Sequence, residues 1–157
     1  MWQRKQSVFL GLAALLCLAT WLFPVRSYQV GEEPILMMTH GIYTSSGTPI
    51  TDAALPVPFH VLFSVLAGVL IVAIFLYGNR PRQLRVVRSA WLIIVAIAVL
   101  QFVSGNSLRA YFEKMGPIES SYGISFFLPL VIVVLAFLGE RAIRKDDELV
   151  RSADRLR

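Results

Sequence analysis

Four apolar stretches, each free of Asp, Glu, Lys and Arg, set the terms for this chain. They run over residues 7–23, 58–77, 90–104 and 122–139, the third reaching about 88–106 once its polar ends, Arg88 among them, are included. The hydrocarbon core of a bilayer is about 30 Å thick, and a helix of roughly 20 apolar residues crosses it. Inside that layer every backbone N–H and C=O must find a partner within the protein, which leaves helices or closed barrels. The stretches are continuous rather than alternating, so they predict helices. Each ends on a breaker or a charge: Pro24, then Gly78-Asn79-Arg80, then Gly105-Asn106, then Glu140-Arg141. Hydrophobic residues make up 56% of the chain and charged ones 16%. Soluble domains average about 25% charged, and this excess of apolar residues is too large for a water-facing surface.

The first stretch also has the basic start and apolar middle of a signal peptide. It continues to Phe23, however, and the bulky or rigid run Trp21-Leu22-Phe23-Pro24-Val25 offers no small-x-small cleavage site, so it is expected to stay as an anchor. The third is the weakest, because its apolar core is short and contains Gln101. The single cysteine, Cys17, is expected to be a packing residue.

Orientation follows from the basic residues. Arg4, Lys5, Arg80, Arg82, Arg85, Arg88, Arg141, Arg144, Lys145, Arg151, Arg155 and Arg157 fall on one side; Arg26, Arg109 and Lys114 fall on the other. The positive-inside rule places the larger group, and with it both termini, in the cytoplasm. The same distribution explains the net charge of +5 without nucleic acid, for which no reader motif is present.

The outer loop at 25–57 contains β-prone runs at 28–30, 35–39 and 41–44, followed by the turn formers Ser45 to Pro49. This predicts a small β-hairpin-like element on the outer face. In the second outer loop, Arg109 to Lys114 reads as a short interfacial helical turn, ended by Gly116-Pro117.

Chemistry-bearing patterns are sparse. No charge interrupts the spans, which argues against a proton relay, an ion-coupled transporter or a voltage sensor. Gln101 is the most polar deep residue, and with Ser64, Ser104 and Ser125 it is expected to hydrogen-bond between helices. Ser64 and Gly68 form a small-xxx-small pair that marks the face of the second span expected to meet another. Pro129 removes a donor and crowds the Ser125 carbonyl, so a bend is expected in the fourth span. No metal or cofactor is expected. An outer-face catalytic set would have to draw on His40, His60, Glu32, Glu33 or Asp52, which share no catalytic spacing.

The segment 140–157 is the most patterned. Leu149, Ala153 and Leu156 recur at helical spacing, and Glu140/Arg144 and Asp147/Arg151 are acid-before-base pairs four apart. A mixed-charge helix continuing the fourth span into the cytoplasm fits, with Arg144, Lys145, Leu149, Arg151, Asp154 and Arg155 as partner-docking candidates. A lipid-binding polybasic segment would be more one-sided.

Several of these residues also carry a resemblance: Trp2-Gln3-Arg4, Phe23-Pro24, Asn79-Arg80, Phe127-Leu128-Pro129-Leu130, Arg141 to Asp146, and Leu149-Val150-Arg151-Ser152-Ala153-Asp154-Arg155-Leu156-Arg157. Over its whole length the chain resembles a family of bacterial four-span inner-membrane proteins of unknown function. The resemblance implies the four-span topology and the bacterial inner membrane, and brings no activity.

The expectation is a single membrane domain of four spans, with an outer loop at 25–57 and a tail helix at 140–157. Its expected role is non-enzymatic: an accessory or scaffold subunit of a larger membrane complex, with the lipid bilayer and other membrane subunits as partners. The alternative is a small homo-oligomeric transporter or channel with Gln101, Ser104 and Ser64 lining a path.

Overall fold

The structure is a computed structural model that describes residues 5–30, 33–50, 55, 57–114 and 116–155. In chain order the elements are α1 (Lys5–Ala19), β1 (Arg26–Val30), β2 (Glu33–Met37), β3 (Ile42–Thr44), α2 (Phe59–Phe75), α3 (Arg80–Glu113), β4 (Glu119–Tyr122) and α4 (Ile124–Arg155). A single 3-10 turn at Leu76–Gly78 joins α2 to α3. Each helix packs on its chain neighbour, α1 on α2 and α2 on α3 and α3 on α4, and α4 closes the ring against α1.

Three helical segments are long and apolar enough to cross a membrane: Phe59–Gly78, Arg80–Glu113 and Ile124–Leu149. α1 is shorter, 15 residues or about 22 Å. Its helical hydrogen bonding continues in tighter turns, from Trp21 N–H to the Leu18 carbonyl and from Leu22 N–H to the Ala19 carbonyl.

The helices bury one seam and leave the rest apolar. On α3 the buried side chains are Gln83, Val87, Ala90, Ile94, Ile97, Gln101, Ser104, Leu108 and Phe112, spaced by three and four. That spacing is the seam of a left-handed helix bundle. The opposite faces expose Val65, Val72, Leu92, Val99, Val103, Val131 and Val134, the outward surface of helices in lipid rather than water. Pro129 lies buried in α4, which continues unbroken as one helix from Ile124 to Arg155. The tail therefore continues the fourth helix, as its spacing predicts.

The end of the bundle that carries the sheet differs from the expectation in two ways. α3 does not stop at Gly105-Asn106 but runs on as helix to Glu113, about 51 Å in all, so Arg109 to Glu113 form its last turn, where Arg109 and Glu113 pair at 2.8 Å. The second difference is the sheet. The first loop does not fold alone: β4, from the second loop, pairs antiparallel with β1, giving the order β3-β2-β1-β4. Alternation sets its two faces. Tyr28 and Met37 point onto the helix ends and are fully buried, whereas Gln29 is exposed.

Candidate functional site

The polar residues that this fold gathers form clusters at the two ends of the bundle and one orphan in its middle.

At the end where α3 begins, Glu140 on α4 is turned into the bundle and only 2% exposed. Its Oε1 accepts from Arg88 Nε at 3.1 Å, from Arg88 Nη2 at 2.8 Å and from Arg144 Nη2, and its Oε2 accepts from Trp91 Nε1 at 2.8 Å. Four donors occupy both oxygens, so the carboxylate acts as a clamp between α3 and α4. About two turns further along α4, Arg80 donates to the Asp146 carbonyl at 2.7 Å and lies 3.9 Å from the Asp147 carboxylate. Ile143 between them is fully buried. The sequence treated Glu140 as the polar end of a span and missed its burial. Its one visible signal was the spacing to Arg144, which the structure uses.

At the sheet end, Arg26 is only 4% exposed. Its Nη1 donates to Asn106 Oδ1 at 2.8 Å and its Nη2 to Ser120 Oγ at 3.0 Å. The guanidinium lies 4.6 Å from the centre of the Tyr122 ring and 5.5 Å from that of Tyr28. No carboxylate pairs with it among the described residues; neutral acceptors and aromatic faces hold the charge. Burial pushes the Tyr28 phenol up to about 12, so it stays protonated and donates to the Gly105 carbonyl at 2.7 Å. These contacts tie β1 to both α3 and β4. Nothing in the sequence marks Arg26 as buried, because its partners are 80 and 94 residues away.

Beside this cluster the end of α1 is sealed by hydroxyls. Thr20 donates to the Cys17 carbonyl at 2.7 Å, and Ser125 and Thr39 donate to the Thr20 carbonyl at 3.0 and 3.3 Å. These bonds satisfy acceptors that a helix end leaves open. Gly123 sits against Pro24, where a Cβ would fall 2.1 Å from the Pro24 carbonyl oxygen.

The two histidines do come together. Trp21 stacks on His40 at 6.2 Å and meets His60 edge-on at 5.4 Å, and Tyr43 packs on His40 at 5.1 Å. Among the described residues no group of three or more His, Cys, Asp or Glu could hold a metal ion. Glu32, Asp52 and the Glu33 side chain lie outside the described residues.

Gln101 is buried in the middle of α3, 1% exposed, and neither its amide nitrogen nor its amide oxygen has a partner among the described residues. Ser104 is buried one turn along. The expected interhelical bond from Gln101 is therefore not made within the bundle. The Ser64/Gly68 face is a correction. Gly68 is exposed with open space over it, and the Ser64 hydroxyl turns back to the His60 carbonyl at 2.7 Å. The close helix approach is made instead by Gly139, where a Cβ would lie 2.9 Å from Leu10 Cδ2 of α1. Of the tail candidates, Arg144 binds Glu140, Lys145 is exposed and Leu149 is 60% exposed. The side chains of Arg151, Asp154 and Arg155 lie outside the described residues.

The chain that folds into this bundle and cap matches, over residues 2–156, the family described as Domain of unknown function (DUF4293). The chain belongs to that family. The match covers nearly the whole chain, so bundle, cap and tail are parts of a single DUF4293 unit. No curated protein matches this DUF4293 chain.

Proposed function

We propose that this DUF4293 protein is a non-enzymatic subunit of a larger assembly in the bacterial inner membrane, crossing it four times with both termini in the cytoplasm. The observation that carries the reading is the form of α4. It leaves the apolar bundle as an unbroken helix, is clamped to the start of α3 through Glu140 and Asp147, and then runs on to Arg155 with Leu149 exposed. A helix held rigid at its base and presented beyond the bundle suits a docking element. The four-span reading is supported by α1, which lies against both α2 and α4 and continues in turns to Leu22. The orientation is supported by the basic residues that crowd the end where α1 starts and α4 leaves.

The test is purification at native level from gently solubilised membranes, comparing the full chain with one ended after Asp147, which keeps the clamp. Stoichiometric partners present with the full chain and lost on truncation are expected. Recovery of both forms without partners would overturn the subunit role.

A second reading has its own observation, the unpartnered buried amide of Gln101. In a small homo-oligomeric transporter or channel that amide, with Ser104 and Ser64, lines a polar path, and Gln101→Leu abolishes flux in liposomes. Unchanged flux would remove Gln101 from any such path.

A further inference from the structure

We propose that the groove between the start of α1 and the base of the α4 tail is a binding site for an anionic phospholipid headgroup. The sequence argues against this, because the tail mixes both signs along its length. In space the signs separate. Glu140 is drawn inward to Arg88, Trp91 and Arg144, and Asp147 is drawn to Arg80. The α3 arginines thus take up two tail carboxylates, Glu140 and Asp147, and leave Arg141 and Lys145 without a carboxylate partner among the described residues.

Those cations line a groove of about 680 Å³ with Lys5 of α1. Lys5, Arg141, Arg144 and Lys145 face two carboxylates there, Glu140 and Glu148. Lys5, Arg141 and Lys145 have no hydrogen-bond or ion-pair partner among the described residues. The groove therefore carries an excess of two positive charges, four against two, and Glu140 is already committed to Arg88 and Arg144.

Depth points to a lipid rather than a soluble peptide. Phe137 forms part of the same lining and is the last large apolar side chain but one before the charges begin. Val134, one turn toward the membrane on that face, is 56% exposed. The cations thus lie where the apolar surface of α4 ends, at headgroup level, with acyl-chain surface directly beside them. Arg141 offers the forked donor set that suits phosphate oxygens, and Lys5 and Lys145 add point charges. Basic pockets between membrane helices on the cytoplasmic side bind anionic headgroups by this arrangement. The inference is independent of the subunit role, which uses the helix beyond Asp147.

The test is lipid titration of the full-length, detergent-solubilised protein followed by native mass spectrometry. Phosphatidylglycerol is compared with phosphatidylcholine of the same chains. Phosphatidylglycerol is expected to bind at least tenfold tighter. A basic residue near an anionic surface is worth roughly fivefold in binding, so R141Q/K145Q weakens phosphatidylglycerol about 25-fold. R141K/K145R retains most of the binding, and R82Q/R85Q, which removes the same charge at the start of α3, changes it less than about threefold. Melting temperatures measured alongside confirm that each variant is folded. Equal binding of the two lipids, or equal losses for R141Q/K145Q and R82Q/R85Q, would overturn the site. Displacement of phosphatidylglycerol by low-millimolar inorganic phosphate would overturn the lipid assignment in favour of free phosphate; persistence of the lipid in its presence supports the proposal.

Discussion

The two ends of the bundle solve the same problem, holding helices in register, with different chemistry. The sheet end relies on neutral groups. A four-stranded ladder joins the two loops, and the buried charge of Arg26 on β1 is held by Asn106, Ser120 and two tyrosine rings. The tail end relies on charges. Glu140, Asp147 and the arginines of α3 bridge two long helices with no loop to constrain them. Backbone ladders and buried neutral contacts are insensitive to salt, whereas ion pairs with one half-exposed partner, such as Arg88 with Glu140, weaken in part as salt shortens the Debye length below its value of about 10 Å at 0.1 M. The sheet end is thus built to be fixed. The tail end can respond to charge, from salt, a headgroup or a partner.

Substitutions sharpen this contrast. The largest effect is expected at Gly123, where an added methyl meets backbone that cannot move aside. Gly123→Ala should cost about 3 kcal/mol, read as lost thermal stability in detergent. Gly139→Ala meets the side chain of Leu10 rather than backbone and should cost about 1 kcal/mol. Equal losses at the two glycines would mean that the sheet end is no stiffer than the helix packing.

Glu140→Ala comes next. It leaves Arg88 and Trp91 without their acceptor, and a loss of about 2 kcal/mol is expected. Because Arg88 is half exposed, roughly a third of that difference should vanish in 1 M NaCl. A salt-independent loss would show that the clamp acts by packing rather than by charge.

Arg26→Lys keeps the charge but loses the fork that reaches Asn106 and Ser120 together. About 1.5 kcal/mol is expected, unchanged between low and high salt. Salt dependence here would erase the contrast between the two ends.

The smallest effect belongs to Gly68→Ala. The position is open and exposed, so stability should change by less than about 0.5 kcal/mol. A large loss of a native assembly without loss of fold would identify that face as a contact with another chain.

Much of this architecture was legible one segment at a time. Continuous apolar runs named the helices, and spacing named the tail and its Glu140/Arg144 pair, because these features depend on residues within a few turns of each other. The third span shows the limit of that reading. Gly105-Asn106 looked like a stop, yet α3 continues, with Tyr28 donating to the Gly105 carbonyl and Arg26 to the Asn106 side chain. The helix is supported from outside by a strand far away in sequence. The Ser64/Gly68 pair shows the converse, since a local motif says nothing about which face the bundle turns inward.

The sequence by itself determined the apolar runs suited to a membrane, their number, the clustering of basic residues between and after those runs, and the helical tail. Each of these is a property of composition or of short-range period. Only the tertiary structure decided that the two loops share one sheet, that Arg26 and Glu140 are buried, that Gln101 has no partner among the described residues, and that the tail's charges divide between a clamp and a basic groove. The physical reason is common to all four. Burial and charge pairing depend on which distant elements meet, and those meetings are fixed by the packing of the whole bundle, not by any window of the chain.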